Sequence, residues 1–283
     1  MGGEKFRSAL SINWFAGYTL SVDFKTPRPP ENEGSIKAGK AIYKEVCAAC
    51  HGPKGDGKGE RAKELITKPR DFTSGIYKFR STPNAFPPAD DDIFTTISRG
   101  LHGTSMLPML GLSTKEKWEV TYFIKTFSDV FEEEELVTAV MPQPVMSEYD
   151  YVVRGDELFK KTKCADCHGP EGYGDGEKAD KLKDDWGAPI RPANFQTHFL
   201  KRGLEIEDIY LTIATGLDGT PMESFSEKLD EDEIIALSYY VRWLAKKPSM
   251  DGMTNPSDRQ RNRPPDENIG MRFLFHDLWG HEK

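Results

Sequence analysis

Cysteine is scarce in this chain, and none is left over. There are four in 283 residues. All four fall into two copies of one pentapeptide, Cys47-Ala-Ala-Cys50-His51 and Cys164-Ala-Asp-Cys167-His168. A zinc ribbon places its two Cys-x-x-Cys pairs roughly 15–20 residues apart, whereas more than a hundred residues separate Cys50 from Cys164. A thioredoxin-like pair explains neither the trailing histidines nor the repetition. Strand signals are weak, and the Gly-rich and Pro-rich stretches between apolar segments read as loops. Basic residues are in deficit, 38 against 46 acidic for a net charge of −8, which argues against a nucleic-acid partner. The mildly apolar stretch from Ser8 to Phe24 is short and is broken by Ser11, Asn13 and Thr19, a poor match to the roughly 20 apolar residues of a membrane span.

What the chain does have is the c-type haem attachment signature, twice. The two-residue gap puts both sulfurs of a pair on one side of a helical turn, where they form thioethers to the two vinyl groups of one haem. The histidine that follows then faces the iron. Two covalent haem c groups are expected, on Cys47, Cys50 and His51 and on Cys164, Cys167 and His168.

The flanking residues repeat as well. Gly52-Pro53-Lys54-Gly55-Asp56-Gly57 follows the first motif and Gly169-Pro170-Glu171-Gly172-Tyr173-Gly174 the second. Gly100-Leu101-His102-Gly103-Thr104-Ser105-Met106 corresponds to Gly216-Leu217-Asp218-Gly219-Thr220-Pro221-Met222, and Pro69 to Phe72 corresponds to Pro192 to Phe195. The offset from His51 to Met106 is 55 residues and from His168 to Met222 it is 54. This self-similarity marks a tandem duplication. The expected division is an N-terminal arm at 1–33, a first haem domain at 34–131, an acidic, proline-containing linker at 132–149, a second haem domain at 150–248 and a C-terminal extension at 249–283.

Apolar periodicity predicts helices over 35–46 and 152–163, each delivering a cysteine motif, and shorter ones over 90–98 and 207–214 that lead into the methionine loops. Ser113 with Glu116, and Asp230 with Glu233, have capping-box spacing ahead of two further apolar helices. The fold class expected is all-α.

On these residues the chain resembles the class I cytochrome c family, over both repeats. The resemblance implies a first helix crossing a last one, with the haem held in the loops between. Gly39 and Tyr43, and Gly155 and Phe159, match the glycine–aromatic pattern of that family's first helix. Phe123 and Tyr240 match the aromatic of its last helix. Pro69 and Pro192 match the proline whose carbonyl, in that family, accepts a hydrogen bond from the proximal imidazole and so fixes the ring.

A lone methionine is usually core filler, but Met106 and Met222 share an offset and a Gly-Thr-x-Met context, which makes them the expected distal ligands. Met109 competes for the first haem. His102 and His198 are alternative distal ligands, neither with a counterpart in the other repeat. His/Met ligation fills all six positions on the iron, leaves none for a substrate and favours outer-sphere electron transfer. The expected function is therefore a non-enzymatic dihaem carrier of electrons between redox proteins, as a shuttle or as a subunit of a larger complex. Candidate partners are a quinol-oxidising bc-type complex, a molybdenum oxidoreductase, another cytochrome or a terminal oxidase. The alternatives are a dihaem enzyme of the peroxidase or thiosulfate dehydrogenase type, which needs a displaceable ligand, and a structural cytochrome subunit.

Charge divides unevenly. The first repeat has 15 basic and 11 acidic residues, net +4, and the second 14 and 20, net −6. That pattern suggests different partners for the two domains, although the run Glu132 to Glu135 reads more simply as a solvated face. Haem attachment in this family takes place outside the bacterial cytoplasmic membrane, so the expected location is the periplasm or the outer membrane face. Residues 8–24 read as a signal remnant, a membrane-surface anchor or a docking arm, and residues 25–33 as a Pro-rich linker. Met271 to Trp279 is too apolar to stand free and is expected to pack on a haem domain or another subunit. His276 and His281 look incidental.

Overall fold

The helices begin where the capping residues sit. The computed structural model describes residues 20–132, 136–197 and 200–246. Asn32 caps α1 (Glu33–Ile42), accepting from the Ser35 amide. Ser113 and Glu116 close a reciprocal box at the start of α4 (Thr114–Lys125). Ser147 caps α5 (Glu148–Lys161). The amide of Glu233 donates to Asp230 at 2.7 Å and Glu233 accepts in return from the Asp230 amide at 3.2 Å, which starts α8 (Glu231–Lys246). Between these lie α2 (Ala48–His51), α3 (Asp90–Arg99), α6 (Cys164–His168) and α7 (Ile206–Thr215). Among the described residues there is no β-strand, only one isolated bridge between Lys183 and Pro189.

Each repeat forms one helical unit. In the first, α1 crosses α4; in the second, α5 crosses α8. Glycine sets how closely each pair approaches. A Cβ on Gly39 would lie 1.9 Å from the carbonyl oxygen of Glu119, and one on Gly155 would lie 2.2 Å from that of Ala236. Below each crossing an aromatic pair locks the angle, Tyr43 with Phe123 at 5.2 Å and Phe159 with Tyr240 at 5.3 Å. Such pairs contribute about 0.5–1.5 kcal/mol beyond the area they bury.

The two units enter their cysteine motifs differently. Four residues lead from Tyr43 to Cys47, but five lead from Phe159 to Cys164. The first repeat passes through a π-helical turn, Tyr43–Cys47. The second ends α5 and resets the chain at Lys163, whose φ is +62°. The continuous helix expected over 35–46 is thus interrupted at its end, a common place for a π-turn near a functional residue.

Two segments expected to be linkers are anchored. In residues 25–33 the Arg28 guanidinium lies 4.5 Å over the Trp118 ring and donates to the Tyr122 hydroxyl at 2.8 Å, while that hydroxyl donates to the Pro29 carbonyl at 2.6 Å. This stretch is a strap across α4. In the connecting segment the amide of Ala139 donates to the Ser81 carbonyl at 2.6 Å, and Ala139, Met141 and Met146 pack on the second core.

The units meet through buried ions near the helices that precede the methionine loops. Arg99 pairs with Asp208 at 2.9 Å, Arg202 with Asp92 at 3.4 Å, and Arg80 with Asp218. Arg80 has no exposed surface. Removing one partner of a buried pair costs about 3–5 kcal/mol, because the other is left charged and desolvated. Residues 8–19 of the N-terminal stretch, 133–135 of the acidic run, His198 and the tail from 249 lie outside the described residues.

Candidate functional site

Each cysteine motif runs into a short helix that ends at a glycine with positive φ, Gly52 in the first unit, where Cys47 closes the π-turn just before the helix, and Gly169 in the second. Burial pushes the Cys47 thiol up to about 11, with the neighbouring Cys50 adding to the effect. Burial also raises the Cys164 and Cys167 thiols.

The two histidines are held identically. His51 Nδ1 stands 3.2 Å from the carbonyl oxygen of Arg70, and His168 Nδ1 stands 3.1 Å from that of Ala193. A carbonyl can only accept, so Nδ1 carries the proton and the Nε2 lone pair is left available. Burial lowers the pKa of both rings, favouring the neutral imidazole that a metal requires. One face of each ring is stacked on a phenylalanine, His51 on Phe72 at 4.6 Å and His168 on Phe195 at 4.7 Å. Those phenylalanines are placed by matching bonds from their amides to the carbonyls of Gly55 and Gly172, both 2.7 Å.

The acceptor is not the expected carbonyl. Pro69 and Pro192 instead point their oxygens at the turn after the motif, where a Cβ on Gly57 or Gly174 would lie 2.8 Å and 2.9 Å away. That turn is closed by the amides of Gly57 and Gly174 donating to the carbonyls of His51 and His168. The next carbonyl along the chain faces the ring, so the orienting contact falls one residue after each proline.

The methionine loops also match bond for bond. The Leu101 amide donates to the Met106 carbonyl and the Leu217 amide to the Met222 carbonyl, both at 2.8 Å. Thr104 and Thr220 each accept from the methionine amide, at 3.0 and 3.2 Å, and each donates to the leucine carbonyl, at 2.8 and 2.7 Å. Gly100 and Gly216 begin the loops with φ of +67° and +72°. Met109 occupies a different role. Its amide bonds to Ile97 as that of Phe225 bonds to Ile213, and it packs on the first core as Phe225 does in the second. His102 is buried, and its amide donates to the Lys201 carbonyl of the other unit at 3.2 Å.

Beside the first motif, Tyr77 stacks on Phe72 at 5.8 Å. Its hydroxyl is buried without a hydrogen-bond partner among the described residues, and the Arg70 guanidinium acts on it electrostatically. A buried phenol and a half-buried guanidinium beside His51 suit a macrocycle bearing carboxylate side chains. With the paired thiols and the free Nε2, the residues present fit haem c. Arg70, Tyr77, Phe72 and Phe195 were not among the expected site residues, although Phe72 and Phe195 are visible as a repeated position.

The comparisons with known proteins agree with this geometry. Residues 152–245 match the family described as Cytochrome c, and residues 34–124 match Cytochrome C oxidase, cbb3-type, subunit III. A solved structure described as the Kuenenia stuttgartiensis reducing HAO-like protein complex Kustc0457/Kustc0458 is similar at 38% identity and a TM-score of 0.72, covering 78% of this chain and 100% of that one. No curated protein matches the chain. The paired motifs, the helix crossings and these likenesses together show that the chain belongs to the c-type cytochromes, as an electron-transfer protein with two covalently bound haem c groups in two tandem class I cytochrome c domains.

Proposed function

We propose that both irons are His/Met ligated, by His51 with Met106 and by His168 with Met222, and that the chain carries electrons as a fixed subunit of an oxidoreductase complex without turning over a substrate itself. The observation that carries the ligation is the bond-for-bond match of the two methionine loops, with Met109 at the repeat position that Phe225 fills in the second unit. Haem c supplies the one-electron couple. Cys47, Cys50, Cys164 and Cys167 would anchor it, the Nε2 atoms of His51 and His168 and the thioethers of Met106 and Met222 would bind its iron, and the carbonyls of Arg70 and Ala193 hold the rings. Two protein ligands on each iron would leave no place for a reactant, which supports a carrier over an enzyme.

A permanent place in a complex is supported by the likeness to a chain from the HAO-like complex. Opposite net charges on the two repeats, +4 and −6, favour entry and exit of electrons at different domains. The candidate partners remain a bc-type quinol-oxidising complex, a molybdenum oxidoreductase, another cytochrome or a terminal oxidase. The attachment chemistry supports a location in the periplasm or at the outer face of the bacterial cytoplasmic membrane; no described helix is long and apolar enough to cross a membrane. The test is substitution. Met106→Ala and Met222→Ala should each remove half of the weak thioether-to-iron band at the red edge of the oxidised spectrum. Met109→Ala should leave the band intact. Loss on Met109→Ala with retention on Met106→Ala would reverse the assignment for the first haem.

A further inference from the structure

The two methionine loops are alike internally but are held differently from outside. Arg80 belongs to the first unit, and its guanidinium is spent on the second. Nε donates to Asp218 Oδ2 at 2.7 Å, Nη2 to Asp218 Oδ1, and Nη1 to the Thr215 carbonyl at 2.8 Å. The Thr215 hydroxyl lies between two carbonyl acceptors, that of Leu211 at 2.7 Å and that of Arg80 at 3.0 Å. The remaining hydrogens of the fork go to the Thr82 carbonyl and Asn84 Oδ1, both at 2.9 Å, so the fork is preset by its own loop. Thr215 is the last residue of α7, and Asp218 lies inside the loop that ends at Met222. Arg80 therefore grips both sides of the turn at Gly216 and Leu217, and it is the Leu217 amide that bonds the Met222 carbonyl. In the first repeat His102 stands where Asp218 stands in the second, and Arg99 where Thr215 stands. That loop has no carboxylate to receive such a grip.

We infer that Arg80 is the positioning residue for the methionine loop of the second haem, so that the first domain completes the second haem's distal side and the Arg80–Asp218 pair sets that haem's potential but not the first haem's. This rests on Met222 being the distal ligand. Two effects follow from the pair. The clamp fixes the thioether, which favours ferrous iron. The two charges also cancel in a site where charge is poorly screened. The two effects separate by variant: Arg80→Gln loses the clamp and leaves a lone carboxylate, both of which favour ferric iron, whereas Asp218→Asn keeps an acceptor oxygen for the fork and leaves a lone guanidinium, which favours ferrous iron.

The experiment is a spectroelectrochemical titration of the full holoprotein with Arg80→Gln, Arg80→Lys and Asp218→Asn, using Met222→Ala to identify which signal is the second haem. Arg80→Gln should shift that haem's ferric/ferrous equilibrium toward ferric by tenfold or more, about 59 mV for one electron. Asp218→Asn should shift it toward ferrous. Arg80→Lys, which keeps the charge, should shift it by less than tenfold and serves if the glutamine variant folds poorly. The first haem should stay put throughout. Shifts of the same sign in Arg80→Gln and Asp218→Asn would reduce the pair to general packing. Equal shifts at both haems, or none at the second, would overturn the inference. A Met222→Ala variant that kept its full red-edge band would refute the ligation itself, and with it the positioning role of Arg80, whatever the Arg80 variants did.

Discussion

Replacing Gly39 with alanine tests how the helix crossing carries the first haem domain. The added Cβ would stand 1.9 Å from the Glu119 carbonyl oxygen and 2.4 Å from the carbonyl carbon, and ordinary contact begins at 3.4 Å. α1 and α4 must therefore part by about 1.5 Å. The obstacle is backbone, so no side-chain rotation relieves it. Overpacking of this kind costs typically 1–3 kcal/mol, and the absence of a flexible neighbour puts this case near the top, about 3 kcal/mol. Alanine returns up to about 1 kcal/mol through its higher helix propensity. The clash wins, with a net loss of about 2 kcal/mol. For a domain of this size 1 kcal/mol moves Tm by about 4–8 °C, so a fall of roughly 8–16 °C is expected in the holoprotein, followed by circular dichroism and Soret absorbance together. Gly155→Ala, facing the Ala236 carbonyl oxygen at 2.2 Å, should do the same to the second domain. Gly111, with open space around its Cβ position, is the control, and its alanine variant should stay within about 0.5 kcal/mol of wild type. A Tm for Gly39→Ala equal to or above that of wild type would refute the close-crossing argument.

Two further outcomes concern charge. The Ser113 hydroxyl, and after it the Ser113 amide, holds the Glu116 carboxylate below its ordinary value of 4.5. A lowered folded pKa means that the stabilisation is present above about pH 4.5 and is lost as pH falls through the folded value. The stability gap between wild type and Glu116→Gln should therefore be open at pH 7 and close toward pH 3; a gap of constant size in thermal melts across that range would contradict the box geometry. If the repeats meet separate partners, reversing Lys54 and Lys58 should slow electron exchange with one partner, and reversing Glu171 and Glu177 should slow it with the other. Free encounter would make both rates fall with salt, whereas a fixed subunit predicts flat intracomplex rates in stopped-flow traces. A steep salt dependence at both domains would return the chain to a shuttle.

Much of this molecule is readable from local signals. The motifs repeat, Ser113 and Asp230 announce their helices, and Gly39 and Gly155 mark the crossings because nothing larger fits. The fine entry to each haem is less readable. A π-turn in one repeat and a left-handed Lys163 in the other both absorb a one-residue difference in spacing, and no periodicity distinguishes these solutions. The family resemblance puts the orienting carbonyls at Pro69 and Pro192, one residue before those of Arg70 and Ala193 that face the rings, because the proline oxygens are turned toward Gly57 and Gly174. The contacts between domains leave no mark in the sequence. Arg80 meets Thr215 and Asp218 across 135 and 138 residues, with no period or repeat equivalent to reveal the pairing. Arg28 likewise looks like part of a proline-rich linker until Trp118 and Tyr122 are seen beneath it.

The measurement that bears most directly on the central claim is the electron paramagnetic resonance spectrum of the fully oxidised holoprotein, before and after addition of cyanide and of peroxide. Six-coordinate His/Met ligation at both irons predicts two low-spin ferric signals of equal weight, no high-spin signal, and no rapid change with either reagent. One equivalent of high-spin iron, or prompt binding of cyanide at one haem, would reveal an open site and contradict His/Met ligation at that iron.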